Sequence, residues 1–113
     1  KDIFESKHAQ LAQQIDTFNG LDHPFKVGGH QLSIDNGEFQ LDVKTDMPNY
    51  VLYTFNQPKD WNSDSNIYKA HSGLAIESQF LPNDINMYGE DASSILKAND
   101  TFYSQTSYEI NEK

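Results

Sequence analysis

The stretch "HQLSIDNGEFQLDVKT", residues 30–45, constrains the fold more than any other part of the chain. Asn36-Gly37 sits between two runs in which apolar and polar residues alternate, the pattern of antiparallel strands joined by a tight turn. In the second run Phe39, Leu41 and Val43 face one way, and Gln40, Asp42 and Lys44 the other, because strand side chains alternate. A chain organised by such a hairpin is expected to be mostly β and antiparallel. Its neighbours agree. "NYVLYTFN" (49–56) comes after Pro48, is apolar on both faces and is expected at the centre of a sheet. "HPFKV" (23–27) reads as a short strand that Pro24 confines to an edge or a strand start. Further strands are expected over 72–80 and in "FYSQTSYEI" (102–110), with "LKANDTF" (96–102) as a turn. One short amphipathic helix is expected within 2–18, where Phe4, Leu11, Ile15 and Phe18 recur at helical spacing, and Asn19-Gly20 stops it. Residues 56–70 are polar with one tryptophan, Trp61, and read as a long loop, a kind of segment that often carries function.

Size and charge narrow the function. With 113 residues the chain is expected to form one domain at most. Mean hydropathy is −0.73, polar for a self-contained body of this size, while 12% aromatic residues argue against disorder. The 8 Lys and Arg stand against 17 Asp and Glu, a net charge of −9. Nucleic acid and anionic membranes are therefore excluded as expected partners, since both are bound through clustered cations. A neutral ligand such as a sugar is indifferent to that field. No cysteine is present, which rules out disulfides and thiolate metal sites and fits a cytoplasmic location. No apolar run reaches the roughly 20 residues of a membrane helix. The chain opens on Lys1 with no signal-peptide pattern behind it, so truncation or processing is expected.

Three groups of residues are candidates for chemistry. Glu77 lies in "HSGLAIESQFLPNDIN" (71–86), in the middle of what otherwise reads as a buried strand. Leu74, Ile76, Ser78 and Phe80 share one face of that strand; Ala75, Glu77 and Gln79 share the other, which resembles a pocket wall. A buried carboxylate is costly unless it is paired or has work to do. The alternative is a solvated face or a lysine partner. Asp22 and His23 in "GLDHPF" form the second group, a carboxylate and an imidazole beside Gly20 and Pro24, as polyol recognition requires; the alternative is an Asp that caps its own turn. In the third, Trp61 of "DWNSDSN" has the flat face that stacks on a pyranose, or else simply packs. Asp60, Asn62, Asp64 and Asn66 fall at the alternating positions of a calcium loop, but Ser65 replaces the required Gly and His71 the bidentate Glu, so no calcium is expected. His8, His23, His30 and His71 show no metal-ligand spacing. "NDT" at 99–101 matches a glycosylation acceptor that needs a secretory context.

Taken in order, these blocks resemble the C-terminal portion of the aldose 1-epimerase (galactose mutarotase) family. "GLDHPF" resembles its Gly-x-Asp-His-x-Phe segment and "VLYTFN" (51–56) its late sheet strand. "HSGLAIESQFLPNDIN" resembles its His-Ser-Gly, Leu-Glu-Thr-Gln and Pro-Asp-x-x-Asn block, and "ILKANDTFYSQTSYEI" (95–110) its closing hairpin. The resemblance implies that residues 1–113 are the C-terminal segment of a single galactose mutarotase-like domain, a large antiparallel β-sandwich (a supersandwich) whose upstream part is missing. It implies interconversion of the α and β anomers of free hexoses, galactose or glucose, without a cofactor. Glu77 then matches the general base and Asp22 a carboxylate that binds sugar hydroxyls, with His23, Gln79 and Trp61 as further substrate-binding residues. A non-catalytic carbohydrate-binding relative is the alternative. Four departures stand out: the family's proton-donating histidine motif is absent, Ile76 and Ser78 replace Leu and Thr, Val51 stands where some members carry a sugar-contacting Gln, and "LKANDTF" lacks the usual Pro-Gly. Residues 1–113 alone are accordingly expected to be inactive and prone to aggregation through unpaired strand edges.

Overall fold

The computed structural model describes residues 11–27, 31–64 and 68–113. The chain is mostly β, with two antiparallel three-stranded sheets among the described residues, in the orders β1-β4-β5 and β2-β3-β6. The strands are β1 (Asp22–Lys26), β2 (Leu32–Asp35), β3 (Phe39–Thr45), β4 (Asn49–Tyr53), β5 (Ala75–Gln79) and β6 (Thr106–Glu112). Two short helices accompany them, α1 (Leu11–Phe18) and α2 (Asp84–Tyr88). Two compact units divide the chain: residues 1–25 with 51–77, and residues 26–50 with 78–113. No helix among the described residues is long and apolar enough to cross a membrane.

The second unit contains the hairpin. β2 and β3 pair antiparallel from Leu32↔Val43 to Asp35↔Gln40, and β3 continues the sheet through Phe39↔Glu112 to Thr45↔Thr106. The turn differs from the expected one by a single position. Asn36 N–H donates to the Phe39 carbonyl at 3.2 Å, so Gly37 and Glu38 are the two central residues. Gly37 takes φ +92°, which is why glycine is needed there, while the Asn36 carboxamide oxygen accepts the N–H groups of Glu38 and Phe39 at 3.0 and 2.7 Å. Val43 is fully buried at the middle of β3, and the buried Tyr50 donates its hydroxyl to the Val43 carbonyl at 3.1 Å. β6 starts four residues later than the pattern suggests. Its partner β3 ends at Thr45; just beyond, the Asp46 N–H still donates to the Gln105 carbonyl at 3.3 Å, while the Asp46 carboxylate takes the Gln105 N–H and the Ser104 hydroxyl at 3.1 and 3.0 Å. Phe102 instead packs against Phe80, with ring centroids 5.8 Å apart.

The first unit holds α1 and most of the sheet β1-β4-β5. The expected helix is present from Leu11 to Phe18; Phe4 and the rest of 1–10 lie outside the described residues. β4 is central, as its two apolar faces demand, and it is buried over Asn49–Val51. β5 begins at Ala75 rather than at residue 72. The long loop is not bare: Pro58–Trp61 form a 3-10 turn, and beyond it Asn62 Oδ1 accepts the Tyr68 N–H at 2.6 Å. Position 62 of the calcium-loop pattern therefore serves the loop itself, and Ser65 and Asn66 lie outside the described residues, as do His8 and His30.

Candidate functional site

Asp22 opens β1, and the residue before it explains why it stays there. Leu21 is 2% exposed, and its carbonyl accepts the Asn56 carboxamide N–H at 2.8 Å. The Asn56 oxygen in turn accepts the Thr54 hydroxyl at 2.6 Å, so the end of β4 is laced to the start of β1. Thr54 N–H donates to the Leu21 carbonyl, and Val27 N–H to the Pro48 carbonyl; the two pairs have the same residue-number sum, the mark of an antiparallel register. That register sets Asp22 directly across from Tyr53 and His23 across from Leu52, and places Asp22, Tyr53 and Val51 on one face.

Asp22 is exposed, and its backbone N–H donates to His23 Nδ1 at 3.0 Å. Nδ1 is thus an acceptor, which leaves the ring proton of a neutral His23 on Nε2. The half-buried ring also meets Phe18 edge-on at 5.6 Å. The Asp22 carboxylate accepts no hydrogen bond from a described residue, so the self-capping turn is not what forms here. Val51, at the position where some family members carry glutamine, is 7% exposed and belongs to the core.

Glu77 lies on β5, the opposite edge of the same sheet, with β4 between. Here the structure corrects the sequence reading. The strand is only half-buried on either side of Glu77, and Glu77 itself is exposed. An edge strand is covered less fully than a central one, so the carboxylate suffers no burial penalty and its presence in the run needs no buried partner. Gln79, the next residue on that face, is half-buried and donates to the Phe80 carbonyl at 3.0 Å. Trp61 closes the 3-10 turn with 69% of its surface exposed.

The first unit therefore gathers Asp22, His23, Trp61 and Glu77, while Gln79 belongs to the second. Asp22 and Glu77 sit on the two strands that flank β4 in one sheet. None of the five lines the hollow of the second unit, whose walls include Asn49, Phe80, Asp84 and Tyr88. What the sequence does not single out is the contact of Gly20 with Asn56 and His71, which the "GLDHPF" and "HSG" blocks separate by about fifty residues.

Comparison with curated proteins found no match, and comparison with solved structures found none. The family model described as Aldose 1-epimerase matches residues 2–109, a span that includes every candidate residue above. The chain belongs to the aldose 1-epimerase family.

Proposed function

We propose that this chain carries the base side of a hexose mutarotase, which interconverts α and β anomers of galactose or glucose. Membership of the family supports a sugar substrate and an isomerase-class activity. The observation that supports the finer reading is that two exposed carboxylates, Asp22 and Glu77, lie on the two strands flanking β4 in one sheet.

In this reading Glu77 accepts the proton of the C1 hydroxyl. The C1–O5 bond breaks, a C1=O1 carbonyl forms, and an acid protonates O5. Rotation about C1–C2 presents the other carbonyl face, O5 attacks it, and the two protons return to give the opposite anomer. Nothing is oxidised or reduced. Each proton transfer by a positioned group contributes roughly 10²- to 10⁴-fold. Asp22 accepts hydrogen bonds from ring hydroxyls and fixes the sugar beside Glu77, with His23 next to it in the chain, and the exposed indole of Trp61 offers a stacking face. The acid belongs to a segment of the fold other than residues 1–113, because none of the histidines here falls in the family's donor motif. Residues 1–113 by themselves are accordingly inactive, and the assay belongs to the complete protein that carries them.

Polarimetry of freshly dissolved α-galactose tests the proposal: the protein accelerates the approach to anomeric equilibrium. The second reading, a non-catalytic sugar-binding relative, is favoured by the missing donor motif alone. It requires hexose-dependent chemical-shift changes with no gain in rate, and that outcome would replace the first.

A further inference from the structure

We propose that His71 is a positioning residue for Asp22, acting through Gly20; the inference rests on the reading of Asp22 as a sugar ligand. The starting observation is backbone strain gathered in one place. Phe55 and His71 both hold left-handed conformations, with φ +49° and +65°, and His71 N–H donates to the Phe55 carbonyl at 3.0 Å. Such conformations cost a non-glycine residue on the order of 1–3 kcal/mol, and for an aromatic residue they are rare. Nothing in a plain β-to-loop crossing requires two of them to meet.

One of the two, His71, adjoins Gly20, which is itself buried with φ +98°. A Cβ there would overlap Asn56 Oδ1 outright, and would lie 2.6 Å from Asn56 Cγ and 3.0 Å from His71 Nε2. The carboxamide and the imidazole edge therefore occupy the space that a side chain at position 20 would need. Asn56 is already committed to Leu21 and Thr54. His71 makes no such side-chain bond to a described residue; its ring edge stands over the side of Gly20 where a Cβ would project. Two residues further on stands Asp22, with Leu21 between them pinned by its backbone. A ring that limits where Gly20 can move limits where the Asp22 carboxylate can sit, and the strain at positions 55 and 71 is what brings the ring there. Histidine suits the post because it tolerates the left-handed region better than most residues.

The test is steady-state mutarotation by the complete protein with His71→Asn, which keeps that backbone tolerance and removes the ring, made alone and together with Asp22→Ala. The expected result for His71→Asn is a KM raised about tenfold with kcat within about threefold, and no further change when Asp22→Ala is already present. His71→Gln, whose longer carboxamide refills the space over Gly20, is expected to restore KM to within about threefold. An unchanged KM in His71→Asn, an effect that persists undiminished in the Asp22→Ala background, or loss of folding in every variant at position 71 would each overturn the proposal. The two failures are distinguishable: an Asp22→Ala variant with normal KM removes the underlying reading of the site, whereas a raised KM there beside an inert His71→Asn removes this inference alone.

Discussion

Thr54 satisfies both backbone groups of Leu21: its hydroxyl accepts the Leu21 N–H at 2.8 Å, and its own N–H donates to the Leu21 carbonyl at 3.1 Å. Thr54 is 1% exposed and Leu21 2%, so water cannot replace either bond. Thr54→Val keeps the shape and leaves the Leu21 N–H without an acceptor. We expect a loss of about 1–3 kcal/mol, read from the midpoint of a chemical denaturation curve. A change below a few tenths would mean that the link between β1 and β4 holds without the hydroxyl.

Stability is expected to fall at both ends of the pH scale, for separate reasons. The Asp42 carboxyl is held below its usual value by hydrogen bonds from Ser33 and Gln40, and that of Asp35 by Lys113 and the Gly37 N–H. A lowered carboxyl contributes stability that is complete above the unfolded value, 3.8, and disappears as pH falls through the folded one. Burial raises the Tyr50 hydroxyl instead. Above pH 10.0 the unfolded chain sheds that proton while the folded chain keeps it, so stability drops as pH rises. Thermal midpoints measured across pH should show a weaker acid limb in Asp42→Asn and a weaker alkaline limb in Tyr50→Phe, each leaving the other limb intact.

Ser78 carries a buried hydroxyl that finds no hydrogen-bond partner among the described residues. Burying an unpaired hydroxyl costs roughly 1–3 kcal/mol. Ser78→Ala is therefore expected to raise the denaturation midpoint, an uncommon direction for a change inside a strand. A lower midpoint would show that the hydroxyl is satisfied after all.

Much of the fold is legible in the sequence, where local pattern decides the outcome. The hairpin comes from alternation around Asn36-Gly37, and the central place of β4 from a run apolar on both faces. What the pattern cannot supply is set by partners far along the chain. β6 starts where β3 gives it a neighbour, at Thr45↔Thr106, although its own alternation begins earlier. α2 leaves no periodic signal because five residues are too few for a helical period; its start is held by Asp84, whose carboxylate accepts the N–H and hydroxyl of Ser94 at 3.1 and 2.5 Å. The exposure of Glu77 escapes the sequence for a related reason. Apolar neighbours suggest a buried strand, but only sheet order reveals an edge. The packing of His71 on Gly20 depends on three left-handed residues, which leave no mark in a composition or a period.

Asp22 and Glu77 are expected to fail differently. Removing a hydroxyl ligand weakens binding, so Asp22→Ala raises KM about tenfold or more, the worth of one good hydrogen bond to a charged group. Initial rates over a range of galactose concentrations separate that from a loss of kcat. A pure kcat effect would move Asp22 from binding into the chemistry.

The most direct measurement is the mutarotation rate of fresh α-galactose, monitored by optical rotation, for the complete protein and its Glu77→Gln variant. The carboxamide keeps the shape of the side chain and cannot take the O1 proton. With Glu77 as the base, kcat falls by roughly 10²- to 10⁴-fold while circular dichroism shows the fold intact. A Glu77→Gln protein that turns over at the unaltered rate would contradict that role.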